Sequence, residues 1–230
     1  MAKHIGIVAC SAEGAALCYR TICIEGEELM GKYAHPEVSM HTYPLNEYIE
    51  FIETDNWEGV ANLMLASVRK LAEIGADFAI CPDNTIHEVF NVVIEKSPIP
   101  WLHIAEEVVK EAIKQEYKCL GVLGTSYLME GPVYSEKLTE MGIDFKIPEK
   151  DERMHINDII FEELVYGKFY QKSRTYFEEV IAKLKNAGCD AVVLGCTEIP
   201  LLVVPEESPL PTLDSTRLLA RAALKKVIEE

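Results

Sequence analysis

A chain of 230 residues, 49% hydrophobic and carrying a formal charge of −16 with a pI near 4.8, can bury a sizeable core as one large domain or two modest ones. Nucleic-acid binding draws its affinity from clustered Lys and Arg, so an acidic excess spread through helical stretches excludes that class of partner. Nowhere do ~18 uncharged apolar residues occur together, and "MAKHIGIVAC" runs straight into a strand-like segment, so the expectation is a soluble, cytoplasmic protein with no membrane partner.

Along the chain, short β-rich runs alternate with longer amphipathic ones. "HIGIVA" precedes a helix-like stretch, "EVSMHTY" precedes "WEGVANLMLASVRKLAEIG", "DFAIC" precedes "TIHEVFNVVIEK", and "IPWLHI" precedes "AEEVVKEAIKQE". The alternation resumes at "CLGVLGT", "IDFKIP", "DAVVLG" and "LPTLDS", each leading into a helical segment. This pattern predicts an α/β fold built on largely parallel sheets covered by helices. The strands read as too apolar to have a wet face, as burial on both sides requires.

Two internal echoes divide the chain. "KLAEIGADFAICPDNT" from Lys70 lies without a gap on "KLKNAGCDAVVLGCTE" from Lys183: Gly75 and Gly188, and Asp77 and Asp190, are each 113 residues apart. In that register Asp83 falls on Cys196. The second echo pairs "IGIVACS" with "LGVLGTS", so that Gly6 and Gly121 stand 115 residues apart and Ser11 falls on Ser126. Two echoes at nearly equal offset predict two similar lobes, 1–102 and 103–208, related by a pseudo-twofold axis. The last helix, 213–230, is expected to pack back on the first lobe. No Gly/Ser-rich linker separates the halves, so a cleft at a fixed interface is expected to hold the site.

The seven cysteines (Cys10, Cys18, Cys23, Cys81, Cys119, Cys189 and Cys196) are odd in number and lack C-x-x-C spacing, which argues against disulfides and a structural zinc site. Most read as buried filler. Cys196 stands apart, because "GCTE" sits at a strand-to-helix turn, where a helix N-terminus would favour the thiolate. "CPDNT" occupies the matching turn in the first half. Asp83 reads there either as an N-cap for the following helix or as an acid/base group facing Cys196. Asn84, Thr85 and Thr197 could bind a substrate carboxylate or amine, or satisfy their own turns. Glu198 reads as a first-turn dipole partner or a helper base. His87 is placed to orient Asp83, or else is a satisfied core histidine.

These residues resemble the aspartate/glutamate racemase superfamily over essentially the whole chain. The resemblance is carried by "IGIVACSAEG", "NT-x-H", "LGVLGTSYLMEGPVYSEKL", "IIFEELVYGKF", "GCTEIP" and "LPTLDSTRLLA". It implies two α/β lobes, pairing into homodimers, and a cofactor-independent, metal-free site with one acid/base residue from each lobe. Asp83 and Cys196 would be that pair, and Ser11, Asn84, Thr85, Thr125, Ser126, Thr197 and Glu198 would hold a small amino acid or related carboxylate. Typical members carry cysteines in both motifs; here "PDNT" stands where "PCNT" is expected. Cys81, two residues earlier, would share Asp83's face but lie further from the turn, and is not expected to replace it. The stretches searched for a basic residue to hold an acidic side chain, "MHTYPLNEY" and "EELVYG", offer only His41. Three readings follow: a racemase or epimerase with the Asp83/Cys196 pair, a one-cysteine decarboxylase or lyase, and a non-catalytic carboxylate-binding protein.

Overall fold

The computed structural model describes residues 2–228. The chain divides into two compact units. One takes the residues up to Ile104 together with those from Thr216 onward, and the other is Ala105–Ser215.

The first unit opens with β1 (Ile5–Ala9), α1 (Ala12–Met30), β2 (Val38–Thr42), α2 (Leu45–Glu53), α3 (Trp57–Glu73) and β3 (Phe78–Ile80). A 3₁₀ turn (Thr85–Val89) and α4 (Phe90–Lys96) follow. The strands form one parallel sheet in the order β2-β1-β3. The segment read as a strand at "IPWLHI" adds a single parallel bridge, Ala79 to Trp101, because Pro98 and Pro100 deny the ladder two donors.

Alternation along the strands sorts this core into two faces. Val8, Cys10, Ala79 and Cys81 pack with Tyr48 and Ile52 of α2 and with Val60, Met64 and Val68 of α3. On the other face Ile5, Ile7, Ala9, Phe78 and Ile80 pack with Ala15, Cys18 and Ile22 of α1. The same face takes Leu219, Ala220, Ala223, Leu224 and Val227 from the chain's last helix. Each buried Val, Leu, Ile, Phe or Met side chain here contributes about 1.5–3 kcal/mol by leaving water.

The second unit continues with α5 (Ile104–Lys114), β4 (Cys119–Leu123), α6 (Ser126–Glu130), α7 (Pro132–Glu140) and β5 (Asp144–Lys146). Then come α8 (Lys150–Glu162), a 3₁₀ turn (Leu164–Tyr166), α9 (Gln171–Asn186), β6 (Ala191–Leu194), α10 (Ile199–Leu202) and β7 (Thr212–Asp214). The last helix, α11 (Ser215–Ile228), belongs to the first unit from Thr216 onward. The four strands of the second unit are parallel in the order β5-β4-β6-β7.

Only some strands are as dry as the sequence implied. The inner strands β1 and β6, and β3, whose outer edge is met by the Trp101 segment, are buried throughout, whereas the edge strands β2 and β5 are partly exposed, Met40 half so. An edge strand has a neighbour on one side only, so its polar residues can turn to water without leaving the sheet.

The internal repeat has a structural counterpart within each unit. Asp77 accepts the His4 N–H through Oδ2 at 2.6 Å and donates its own N–H to His4 O. Asp190 accepts from Lys118 N (2.7 Å) and Cys119 N (3.2 Å) and donates its N–H to Cys119 O. Each aspartate thus ties the start of one central strand to the chain that begins its neighbour. The sequence echo at these two positions therefore reflects a shared fastening.

Candidate active site

Asp83 lies three residues beyond β3, and the pairing Ile7↔Ile80 sets Cys10 opposite it. Its carboxylate reaches back to the chain that opens α1. Oδ2 accepts from Cys10 N at 3.1 Å and Oδ1 from Ser11 N at 3.2 Å. Ser11 is the N-cap of α1 and its Oγ accepts from Gly14 N at 3.3 Å. The carboxylate is therefore fastened to the first free N–H groups of a 19-residue helix, where backbone donors and the helix dipole stabilise negative charge.

The predicted helix after Asp83 begins as the 3₁₀ turn and becomes α-helical only at Phe90. Asn84 stands at its N-cap with helical φ and ψ and no side-chain cap bond, and its amide lies 3.5 Å from Pro82 O. Thr85 opens the turn. His87, for which the sequence left open a part in orienting Asp83 or a place in the core, is buried, with Nε2 3.0 Å from Cys81 O and its ring stacked on Phe90.

Cys196 follows β6 directly. The preceding Gly195 is required by packing: a Cβ there would stand 2.7 Å from Leu123 O and 2.6 Å from Leu128 Cδ2. Its N–H donates to that same Leu123 O at 2.7 Å, which locks the β6 end against the β4 end. The helix expected to favour a Cys196 thiolate is α10, a single turn of four residues, too short to sum an appreciable dipole. Glu198 supplies the local charge instead. Its Oε2 accepts from Cys196 Sγ at 3.0 Å and from Thr197 Oγ1 at 2.7 Å. A carboxylate that accepts the thiol's hydrogen bond opposes the thiolate and holds Cys196 as a proton donor. Glu198 is 1% exposed and its Oε1 has no hydrogen-bond partner among the described residues; a buried acceptor left this way is costly, as is common where a site awaits a ligand.

Thr125 and Ser126 close the β4 end. Thr125 caps α6 by accepting from Leu128 N at 3.2 Å, and Ser126 N donates to Asn157 Oδ1 at 3.0 Å. Asn157 therefore does for Ser126 what Asp83 does for Ser11. Sequence reasoning missed it; the signal was an Asn inside the amphipathic run "HINDIIF", where its helix propensity is poor. Tyr134 was also missed. Buried beside the strand ends, its hydroxyl bonds Ser215, whose Oγ donates to Leu194 O at 2.8 Å. Burial pushes the Tyr134 phenol far up from its ordinary value, against a smaller opposing pull from Ser215.

His41 is already committed: Nδ1 lies 2.9 Å from Ser67 Oγ and Nε2 2.9 Å from Lys70 Nζ. Desolvation, then the Lys70 charge, lowers its pKa, so it accepts from Lys70 as a neutral ring. The "EELVYG" stretch offers Glu163, which bonds Ser173 Oγ and pairs with Lys172 at 2.9 Å.

The Asp/Glu/Hydantoin racemase family model matches residues 13–223. Among curated proteins, the chain is 24% identical over 155 residues to the broad specificity amino-acid racemase RacX of Bacillus subtilis, covering 67% of this chain and 66% of that relative. The match thus spans a little under two thirds of that relative's length. Among solved structures, an aspartate racemase homologue from Pyrococcus horikoshii is 27% identical, with all of both chains covered and a TM-score of 0.85. An arylmalonate decarboxylase shares the fold alone, at 12% identity and a TM-score of 0.60, over 98% of this chain and 93% of that one. With 211 of its residues inside the family match and parallel α/β units of the expected kind, the chain belongs to the Asp/Glu/Hydantoin racemase family.

Proposed function

We propose that the protein is a cofactor-independent amino-acid racemase or epimerase in which Asp83 and Cys196 are the two acid/base groups. One observation carries the reading: these two residues hold equivalent positions in the repeat, each just beyond a buried strand, and are oppositely poised. Asp83 receives two backbone N–H bonds that favour its charge, while the Cys196 thiol donates a hydrogen bond to Glu198 and so keeps its proton. One is a ready base and the other a ready acid.

In the reaction Asp83 takes the α-proton of an amino acid, the Cα–H electron pair moves into an enolate-like carboxylate, and Cys196 returns a proton to the opposite face. The mechanism requires the two groups to reach opposite faces of one Cα. Backbone N–H groups and the hydroxyls of Thr85, Thr125 and Thr197 support the developing charge. A carboxylate of reference pKa ~3.9 is a weak base for this proton, so most of the rate must come from that stabilisation. The two directions therefore differ in rate constant. The substrate is a small amino acid, as the relationship to RacX supports, and the working form is a soluble homodimer.

The second reading, a one-thiol enzyme that protonates a single face after loss of CO₂, is favoured by the commitment of both Asp83 oxygens to backbone donors. A panel of D- and L-amino acids in deuterated water separates the two. Solvent deuterium at Cα with inversion supports racemisation. CO₂ release from a malonate, with no exchange into amino acids, supports the second. Thermal stabilisation by a ligand without either reaction defeats both.

A further inference from the structure

We propose that Cys10, Cys81 and Asp83 form a binding site for a soft divalent cation of the zinc or cadmium class. Donor atoms of these three residues lie within 4.8 Å of one another, the one such cluster of three or more candidate ligands among the described residues. Parallel register explains the convergence. Ile7 pairs with Ile80, so Cys10 stands across from Asp83, and Cys81, two residues before Asp83, projects to the same face. That face is the one packed by α2 and α3, where Tyr48 lies against the Cys10 thiol.

The donor set specifies the cation. Two thiols with one carboxylate suit zinc, cadmium or monovalent copper rather than magnesium or calcium, which take oxygen. Around a tetrahedral ion with bonds of about 2.0–2.3 Å, donors stand roughly 3.5–4 Å apart, so the three must close in by no more than about 1 Å. Asp83 is already oriented for this, since each oxygen accepts a backbone N–H that fixes the direction of the carboxylate. Its half-buried position provides the way in and a fourth place for water, while both thiols are nearly or wholly buried. Burial first, then the bond to Cys81 and the Asp83 charge, pushes the Cys10 thiol well up from its ordinary value. A bound cation reverses that balance, and each thiol loses its proton to solvent on binding.

A bound cation occupies the Asp83 carboxylate and takes it out of proton transfer, so under the proposed function the metal-free form is the racemase, and the test reads binding alone. Cys119 and Cys189, with sulphurs 3.7 Å apart, are the rival soft site, so the experiment is run in the C119S/C189S background. Titration with cadmium should produce a thiolate charge-transfer band in the ultraviolet that saturates at one equivalent and is reversed by zinc. Adding Cys10→Ser or Cys81→Ser should remove the band, and Asp83→Asn should weaken binding about tenfold. Zinc X-ray absorption on the background protein, with both buried thiols intact, should show two sulphur ligands with oxygen completing the shell. No band in that background, a band that survives Cys10→Ser and Cys81→Ser together, or a shell without sulphur each overturns the proposal.

Discussion

The Asp83 carboxylate bonds the backbone N–H of Ser11, 72 residues away in sequence, and that of Cys10 beside it. One side chain thus joins the turn after β3 to the start of α1. The cap and acid/base readings of Asp83 left open by the sequence are compatible, and the carboxylate also serves the start of α1, a helix distant in sequence.

That double attachment separates stability from chemistry. Asp83→Ala leaves two backbone donors at a helix start without their acceptor, and should lower unfolding free energy by about 1–3 kcal/mol. Asp83→Asn keeps one carbonyl acceptor and should recover about half of that loss while remaining unable to take an α-proton. Denaturant unfolding and Cα deuterium exchange, measured on both variants, check this. Exchange in Asp83→Asn should fall by at least about 100-fold, the usual contribution of a general base. Exchange that tracked stability across the two variants would assign Asp83 a fastening role alone.

Much of the fold was legible because parallel central strands are apolar runs and their helices are amphipathic. The 113-residue echo was readable for a physical reason, since Asp77 and Asp190 make the same fastening to neighbouring strand starts. Their role is structural, so Asp190→Ala should cost about 1–3 kcal/mol in the same unfolding assay and leave kcat unchanged under native conditions. What stayed hidden was long-range. No local pattern reveals that Asp83 reaches back to Ser11, that Asn157 serves Ser126, or that α10 stops after one turn and so cannot act on Cys196 as a long helix would.

Glu198 tests the state of the thiol. Its carboxylate opposes charge on Cys196, so Glu198→Gln should raise the thiolate fraction and speed alkylation of Cys196 by iodoacetamide roughly tenfold at neutral pH. Mass spectrometry of the Cys196 peptide provides the rate. Cys196→Ser should abolish turnover in either enzymatic reading, and retained turnover would remove Cys196 from the mechanism. Slower alkylation in Glu198→Gln would mean that the carboxylate activates the thiol.

The α8–α9 junction should set part of the acid stability. Burial pushes the Glu163 carboxyl up, but the Ser173 hydroxyl and the Lys172 ammonium outweigh it and hold the group below its ordinary value of 4.5. A carboxylate lowered in the folded state contributes stability that is fully present above the unfolded value and is lost as pH falls through the lower, folded one. Thermal unfolding followed from pH 7 downward should therefore show part of the acid loss beginning only below about pH 4.5. Glu163→Gln should remove that part and cost about 1–2 kcal/mol at neutral pH, because Ser173 is buried and loses a charged acceptor. Lys172→Met should cost less, since the lysine is three-quarters exposed and water screens its side of the pair. An acid limb in Glu163→Gln that matched the parent would show that the junction carries no pH-dependent stability.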